Sequence, residues 1–142
     1  MEASAVGRTW PAVTYEVGVE KIREYAHAIS AAEPVHHDRE AARAAGFRDV
    51  VAPPMFAVVY STRALAPAVL DPDVGIDLAR MLHGGQEFVW GEPVCAGDVI
   101  ETEAKLLKID ERDGRRFYVF ESRSRNQDGA EVARGTWTNI VR

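Results

Sequence analysis

Val51-Ala52-Pro53-Pro54-Met55-Phe56-Ala57-Val58-Val59-Tyr60-Ser61-Thr62-Arg63-Ala64-Leu65-Ala66-Pro67 is the stretch on which the fold turns. A proline in the first turn of a helix sacrifices no hydrogen bond, because the first N–H groups have no intrahelical acceptor, so Pro53-Pro54 marks a helix start. From there Met55, Phe56, Val58, Val59, Leu65 and Ala66 surround most of the axis as far as Pro67. A helix that is apolar on most sides needs cover on most sides, and this one is predicted to be buried.

The cover lies C-terminal to it. Asp113-Gly114 and Asp128-Gly129 stand fifteen residues apart between strand-like runs, and Asp-Gly favours a tight hairpin because both residues tolerate positive φ. They divide this part of the chain into strands at about 99–109, 116–125 and 130–141. In the first, Ile100, Thr102, Ala104 and Leu106 alternate with Glu101, Glu103 and Lys105, and then Leu107 and Ile109 change face. A bulge or strong twist near Leu106 follows. Further strands at about 86–90 and 14–17 would widen the sheet. Gly84-Gly85 lacks the Lys-Ser/Thr ending of a phosphate loop and reads as a bulge or turn.

N-terminal to the central helix, Ile22, Tyr25, Ala26 and Ile29 share one face of a helix spanning about 17–30. Asp38 is suited to cap a short helix at 39–45, and Gly46 to stop it in the left-handed conformation. The fold class is α+β, an antiparallel sheet wrapped around a buried helix.

Composition bounds the function. A length of 142 residues fits one domain, 1–142, with a core of its own. Apolar residues at 46% and mixed charges at 27% describe a globular chain. A net charge of −5 argues against a nucleic-acid or anionic-membrane partner. The lone Cys95 excludes an internal disulfide framework and fits a reducing cytoplasm. Residues 1–13 lack a basic-then-apolar leader, and Pro53, Pro54, Arg63 and Pro67 interrupt the longest apolar stretch, 50–70, so no membrane span is expected. The four histidines show no ligand spacing with carboxylates on a shared helical face, so no metal is expected.

Ala31-Ala32-Glu33-Pro34-Val35-His36 carries the chemistry. On residue type alone His36 is either a loop histidine bonded to backbone or an acid/base group. His37 reads as exposed, and His27 lies off the apolar helix face. Asp38 is more simply a cap than a catalyst. Trp90 and Trp137 suit sheet packing or, less readily, contact with an acyl chain, and His83 suits either a strand end or the approach to a ligand.

Taken together, Tyr25, Glu33-Pro34-Val35-His36, Ala42, Gly46-Phe47, Val51 to Phe56, His83-Gly84-Gly85-Gln86-Glu87-Phe88 and Ala96-Gly97-Asp98 make the chain resemble the MaoC-like hydratases and dehydratases over about residues 17–141. The likeness is to the N-terminal half of two-domain hydratases and to one subunit of bacterial heterodimeric (3R)-hydroxyacyl-thioester dehydratases. It implies a hot-dog fold, side-by-side dimers, an acyl thioester carried on coenzyme A or acyl carrier protein, and no cofactor. Catalytic members carry Gly-Asp-x-Asn-Pro-aliphatic-His, whose Asp/His pair handles the α-proton and the β-hydroxyl when water crosses a 2,3 double bond. Aligned on Pro34 and His36, the Gly falls at Ser30, the Asp at Ala31 and the Asn at Glu33. The carboxylate is missing, with Glu33 as a possible surrogate.

The resemblance also implies backbone N–H donors for the thioester oxygen at the start of the central helix, where this chain has two prolines that carry none. Met55, Phe56, Val59 and Tyr60 are the expected channel lining. Arg115 and Arg116 flank a turn, where side chains are usually solvated; such a surface would suit the diphosphate of coenzyme A or a phosphopantetheine arm. The leading expectation is a dehydratase or hydratase subunit of fatty-acid or polyketide-type metabolism, supplying the acyl channel to a heterodimer with a catalytic MaoC-like partner. A self-sufficient homodimeric hydratase using His36 with Glu33 or an ordered water is the alternative, followed by an acyl-thioester binding protein and a hot-dog thioesterase.

Overall fold

The computed structural model describes residues 5–142; of the N-terminal stretch 1–13 read above, residues 1–4 lie outside it. Five strands form one antiparallel sheet: β1 (Val13–Glu16), β2 (Met81–Trp90), β3 (Val99–Arg112), β4 (Arg115–Arg125) and β5 (Glu131–Val141). Their spatial order is β1-β3-β4-β5-β2. Helix α1 (Val19–Ala28) and the short α2 (Arg39–Ala44) precede the central helix α3 (Ala57–Val69), which is entered through a 3-10 turn at Pro54–Phe56. The sheet curls around α3, the hot-dog arrangement anticipated from the sequence.

Alternation explains the sheet. Ile100, Thr102, Ala104 and Leu106 of β3 are all buried, and the register then slips between Leu106 and Lys108, where the change of face placed a bulge. Asp113 and Gly114 take φ of 52° and 75°, the left-handed values a tight hairpin demands. Asp38 caps α2 by accepting from the Ala41 N–H at 3.0 Å, and Gly46 stops it at φ 95°. Ala57, Tyr60, Ala64, Leu65 and Ala68 of α3 are buried against residues of the sheet, Trp137 and Phe120 among them.

Four expectations need correction. Strand β2 begins at Met81 rather than near residue 86, because the Gly84-Gly85 bulge hides its period without ending the strand; the register shifts between His83 and Gly85. Helix α3 runs through Pro67 to Val69, since Ala68 is fully buried and its packing outweighs the hydrogen bond that Pro67 cannot make. It is also not buried all round: Thr62, Arg63 and Pro67 are exposed, leaving one side open. His37 is half-buried rather than exposed, its Nε2 donating to the Ala31 carbonyl at 2.7 Å and its ring 4.7 Å from that of His27.

The loops around the helix start are pinned by a buried carboxylate. Asp98 is fully buried and accepts from both terminal nitrogens of Arg48 (2.7 and 3.1 Å), from the Cys95 N–H (2.9 Å) and from Gln127 (3.0 Å). Burial by itself would push this carboxyl up, but those donors outweigh it and hold its pKa below the ordinary carboxylate value. The segments at 48, 95–98 and 127 thereby meet at one side chain.

Candidate functional site

The 3-10 turn Pro34–His36 sets the imidazole of His36 against the segment leading into α3. Its Nδ1 lies 2.7 Å from the Val51 carbonyl. A carbonyl only accepts, so Nδ1 carries the hydrogen and the neutral ring keeps Nε2 as an acceptor. The side chain is 12% exposed, and Nε2 lies 3.7 Å from Glu33 Oε2. That separation is too long for a hydrogen bond, and the Glu33 side chain is 70% exposed, so the carboxylate sits on the solvent side of the ring.

His36 lines a cavity of about 410 Å³, within the size range of small-ligand sites. The walls are mostly apolar, with Val35, Phe47, Val51, Phe56, Tyr60, Trp90, Pro93 and Val94 among them, and Glu92 is the carboxylate on the lining. Phe56 and Tyr60 therefore face the cavity. Met55 is 43% exposed and Val59 packs against the core, and neither is among its walls. The hydroxyl of Tyr60 is buried, which pushes its pKa well above that of an ordinary phenol and keeps it protonated as a donor.

The alignment position of the missing carboxylate lies elsewhere. Ala31, with His27, Ser30 and His37, lines a separate shallow depression, and its carbonyl is held by His37. The helix start is no richer in donors. The Val51, Ala52 and Phe56 N–H groups are committed to the carbonyls of Val35, Val94 and Pro53, and Pro53 and Pro54 have none. Of residues 51–56, that leaves the Met55 N–H.

Pro93, Val94 and Val132 were missed as cavity residues. Only strand pairing brings 90–94 and 132 to the start of α3, and the one local signal was the break in β2 at Gly91. A Cβ there would lie 2.0 Å from the Glu131 carbonyl oxygen, so the cavity wall requires glycine. Trp90, stacked on Phe88 at 5.0 Å, is both a sheet residue and part of the cavity wall, whereas Trp137 is buried and donates to Ser122 at 2.8 Å. Arg115 and Arg116 lie at the hairpin between β3 and β4, at the far end of the sheet. No group of three or more His, Cys, Asp or Glu among the described residues could hold a metal ion, and none of their helices is long and apolar enough to cross a membrane.

The profile of the FAS1-like dehydratase domain region matches residues 4–135. The chain belongs to the FAS1-like dehydratase-domain family. Within the family's reach is the UPF0336 protein of Saccharopolyspora erythraea, 41% identical across all of this chain and 92% of that relative. Among solved structures, a C-terminally truncated HadBC (3R-hydroxyacyl-ACP dehydratase) complex from Mycobacterium tuberculosis superposes with a TM-score of 0.87 at 28% identity, covering 99% of both chains. A MaoC-like dehydratase superposes with a TM-score of 0.90 at 27% identity; this chain is 99% covered but spans 43% of that longer one. The family is thus of dehydratase type, with the MaoC-like hot-dog fold.

Proposed function

We propose that this chain is the acyl-binding subunit of a (3R)-hydroxyacyl-thioester dehydratase or enoyl hydratase in fatty-acid or polyketide-type metabolism. The catalytic Asp/His pair would then reside on a MaoC-like partner. The observation that carries the reading is the cavity itself. It is mostly apolar and bounded by His36, yet among the described residues no carboxylate, neither Glu33 nor the Glu92 of its lining, hydrogen-bonds that histidine, and two prolines stand at the helix start in place of oxyanion donors. Moving water across the double bond needs a base for one proton and stabilisation of the enolate that forms on the thioester. This chain brings only the histidine toward the first and only the Met55 N–H of residues 51–56 toward the second, but it supplies the wall for an acyl chain.

The edge of the sheet supports a partner. β2 is a ten-residue edge strand, and Leu82, Val89 and Trp90 on it are exposed. Exposed apolar side chains along one edge are what an adjoining subunit would cover. The HadBC structure is itself a complex.

A second reading rests on the 3.7 Å approach of Glu33 to His36, which would let a water bridge the two in a self-sufficient homodimer. Hydration of crotonyl-CoA separates them. The subunit reading expects no turnover by the purified chain, turnover on adding a catalytic MaoC-like subunit, and less than about a tenfold loss in that assembly from His36→Ala here, far below the 10²–10⁴ of a general acid/base. Turnover by the chain alone, abolished by His36→Ala, would establish the second.

A further inference from the structure

Two polar side chains interrupt the apolar wall of the His36 cavity, and each lacks a partner. Tyr60, in the first turn of α3, is 3% exposed and lines the cavity. Its ring is braced by that of Phe56, one helical turn earlier, at 6.3 Å and 57°. The hydroxyl makes no hydrogen bond to any described residue, and burial alone raises its pKa. A buried tyrosine hydroxyl usually has a partner, so one without it calls for an explanation. His36 presents the complementary gap. With Nδ1 committed to the Val51 carbonyl, Nε2 is left as an acceptor, and Glu33 stays 3.7 Å away. Glu92, the carboxylate of the lining, is exposed and stays hydrated.

A donor without an acceptor and an acceptor without a donor share one cavity of small-ligand size. An alcohol satisfies both at a single oxygen, accepting from Tyr60 through a lone pair and giving its hydrogen to Nε2 of His36. A ketone or ether meets Tyr60 alone. A methylene meets neither, and leaves two polar groups facing hydrocarbon. A carboxylate brings acceptors only, which suit neither Nε2 nor the nearby charge of Glu92.

We infer that Tyr60 is a specificity-determining residue which, with His36, makes this cavity a site for a hydroxylated acyl chain rather than a plain hydrocarbon one. The inference rests on the functional reading above, in which this chain holds the acyl chain and the partner's site handles the thioester and its 3-hydroxyl. The hydroxyl met here is then a second one, farther from the thioester. A chain of that kind arises when an earlier 3-keto group is reduced and the chain is extended before water is lost. The reactions that supply the substrate are therefore a carbonyl reduction followed by chain extension, which is polyketide-type rather than fatty-acid chemistry.

Calorimetric titration of the full chain tests this without a partner or turnover. The probes are octanoyl-pantetheine and counterparts whose single hydroxyl is moved carbon by carbon along the acyl chain. At least one counterpart substituted beyond the 3-position binds about tenfold more tightly than octanoyl-pantetheine. Tyr60→Phe keeps the ring, removes only the unpartnered hydroxyl, and erases that preference. Equal binding across the series, binding of none of its members, or a preference that survives Tyr60→Phe would overturn the inference. A gain confined to the 3-hydroxy counterpart would overturn the placement of the hydroxyl farther along the chain. Failure of the subunit reading would instead appear as turnover of crotonyl-CoA by the chain alone, and would leave the titrated preference standing.

Discussion

Asp98 shows how one side chain can set the shape of the site without entering it. Its four hydrogen bonds hold Arg48, Cys95 and Gln127 together, and the adjoining segments carry Val50 to Ala52 and Val94 past the cavity. Removing it would strand the buried Cys95 N–H and release Arg48 and Gln127 to solvent, and Asp98→Ala is expected to lower stability by about 1–3 kcal/mol in chemical denaturation. The pH dependence has a definite sign. Because the folded-state pKa is depressed, the stabilisation is full above the unfolded carboxylate value and is lost as pH falls through the folded one. Denaturation of the native chain should therefore show an acid-side loss that is reduced in Asp98→Asn; equal losses in the two would remove Asp98 from the explanation. His36 illustrates a different point at the same scale: the Val51 carbonyl fixes its tautomer, a role that persists whether or not the ring meets a substrate.

At the scale of elements, the boundary between β2 and the loop after it determines the cavity mouth. Gly91 donates to the Val132 carbonyl at 3.0 Å and lies against the Glu131 backbone with no room for a methyl group. Gly91→Ala should therefore cost about 1–3 kcal/mol, measured by thermal melting, and a variant of native stability would show that the 131–132 backbone can yield. The elements readable from the sequence were those whose pattern is local: the alternation of β3 with its bulge, the Asp-Gly hairpin, the Asp38 cap. Strand β2 was shortened because Gly84-Gly85 contributes no side-chain period, and α3 was stopped early because tertiary burial of Ala68 overrode a local rule at Pro67. The cavity was only partly legible for a related reason. Phe56 and Tyr60 stand four residues apart on one helical face, whereas Met55 and Val59 stand four apart on another, and sequence apolarity does not say which of the two faces the opening. Pro93 and Val132 join the wall through pairing across more than thirty residues, which no window of sequence contains.

For the whole molecule, charge and apolar surface are unevenly distributed. The arginines gather at one end of the sheet and the apolar cavity at the other, while β2 runs between them along an open edge. If that edge is where a second subunit adds, a charge on its exposed side should weaken association. Val89, 57% exposed, is the natural position. Val89→Lys is expected to shift the chain toward monomer in analytical ultracentrifugation with the fold retained, and an unchanged sedimentation profile would place the contact elsewhere.

The same open edge has a consequence for how the protein is made. A ten-residue strand with unpaired backbone groups and exposed apolar side chains is a template for any extended chain that meets it. If a partner subunit covers that edge, as proposed, a copy synthesised ahead of it would be an orphan whose edge could recruit other orphans into aggregates, and balanced, simultaneous production of both subunits would protect it.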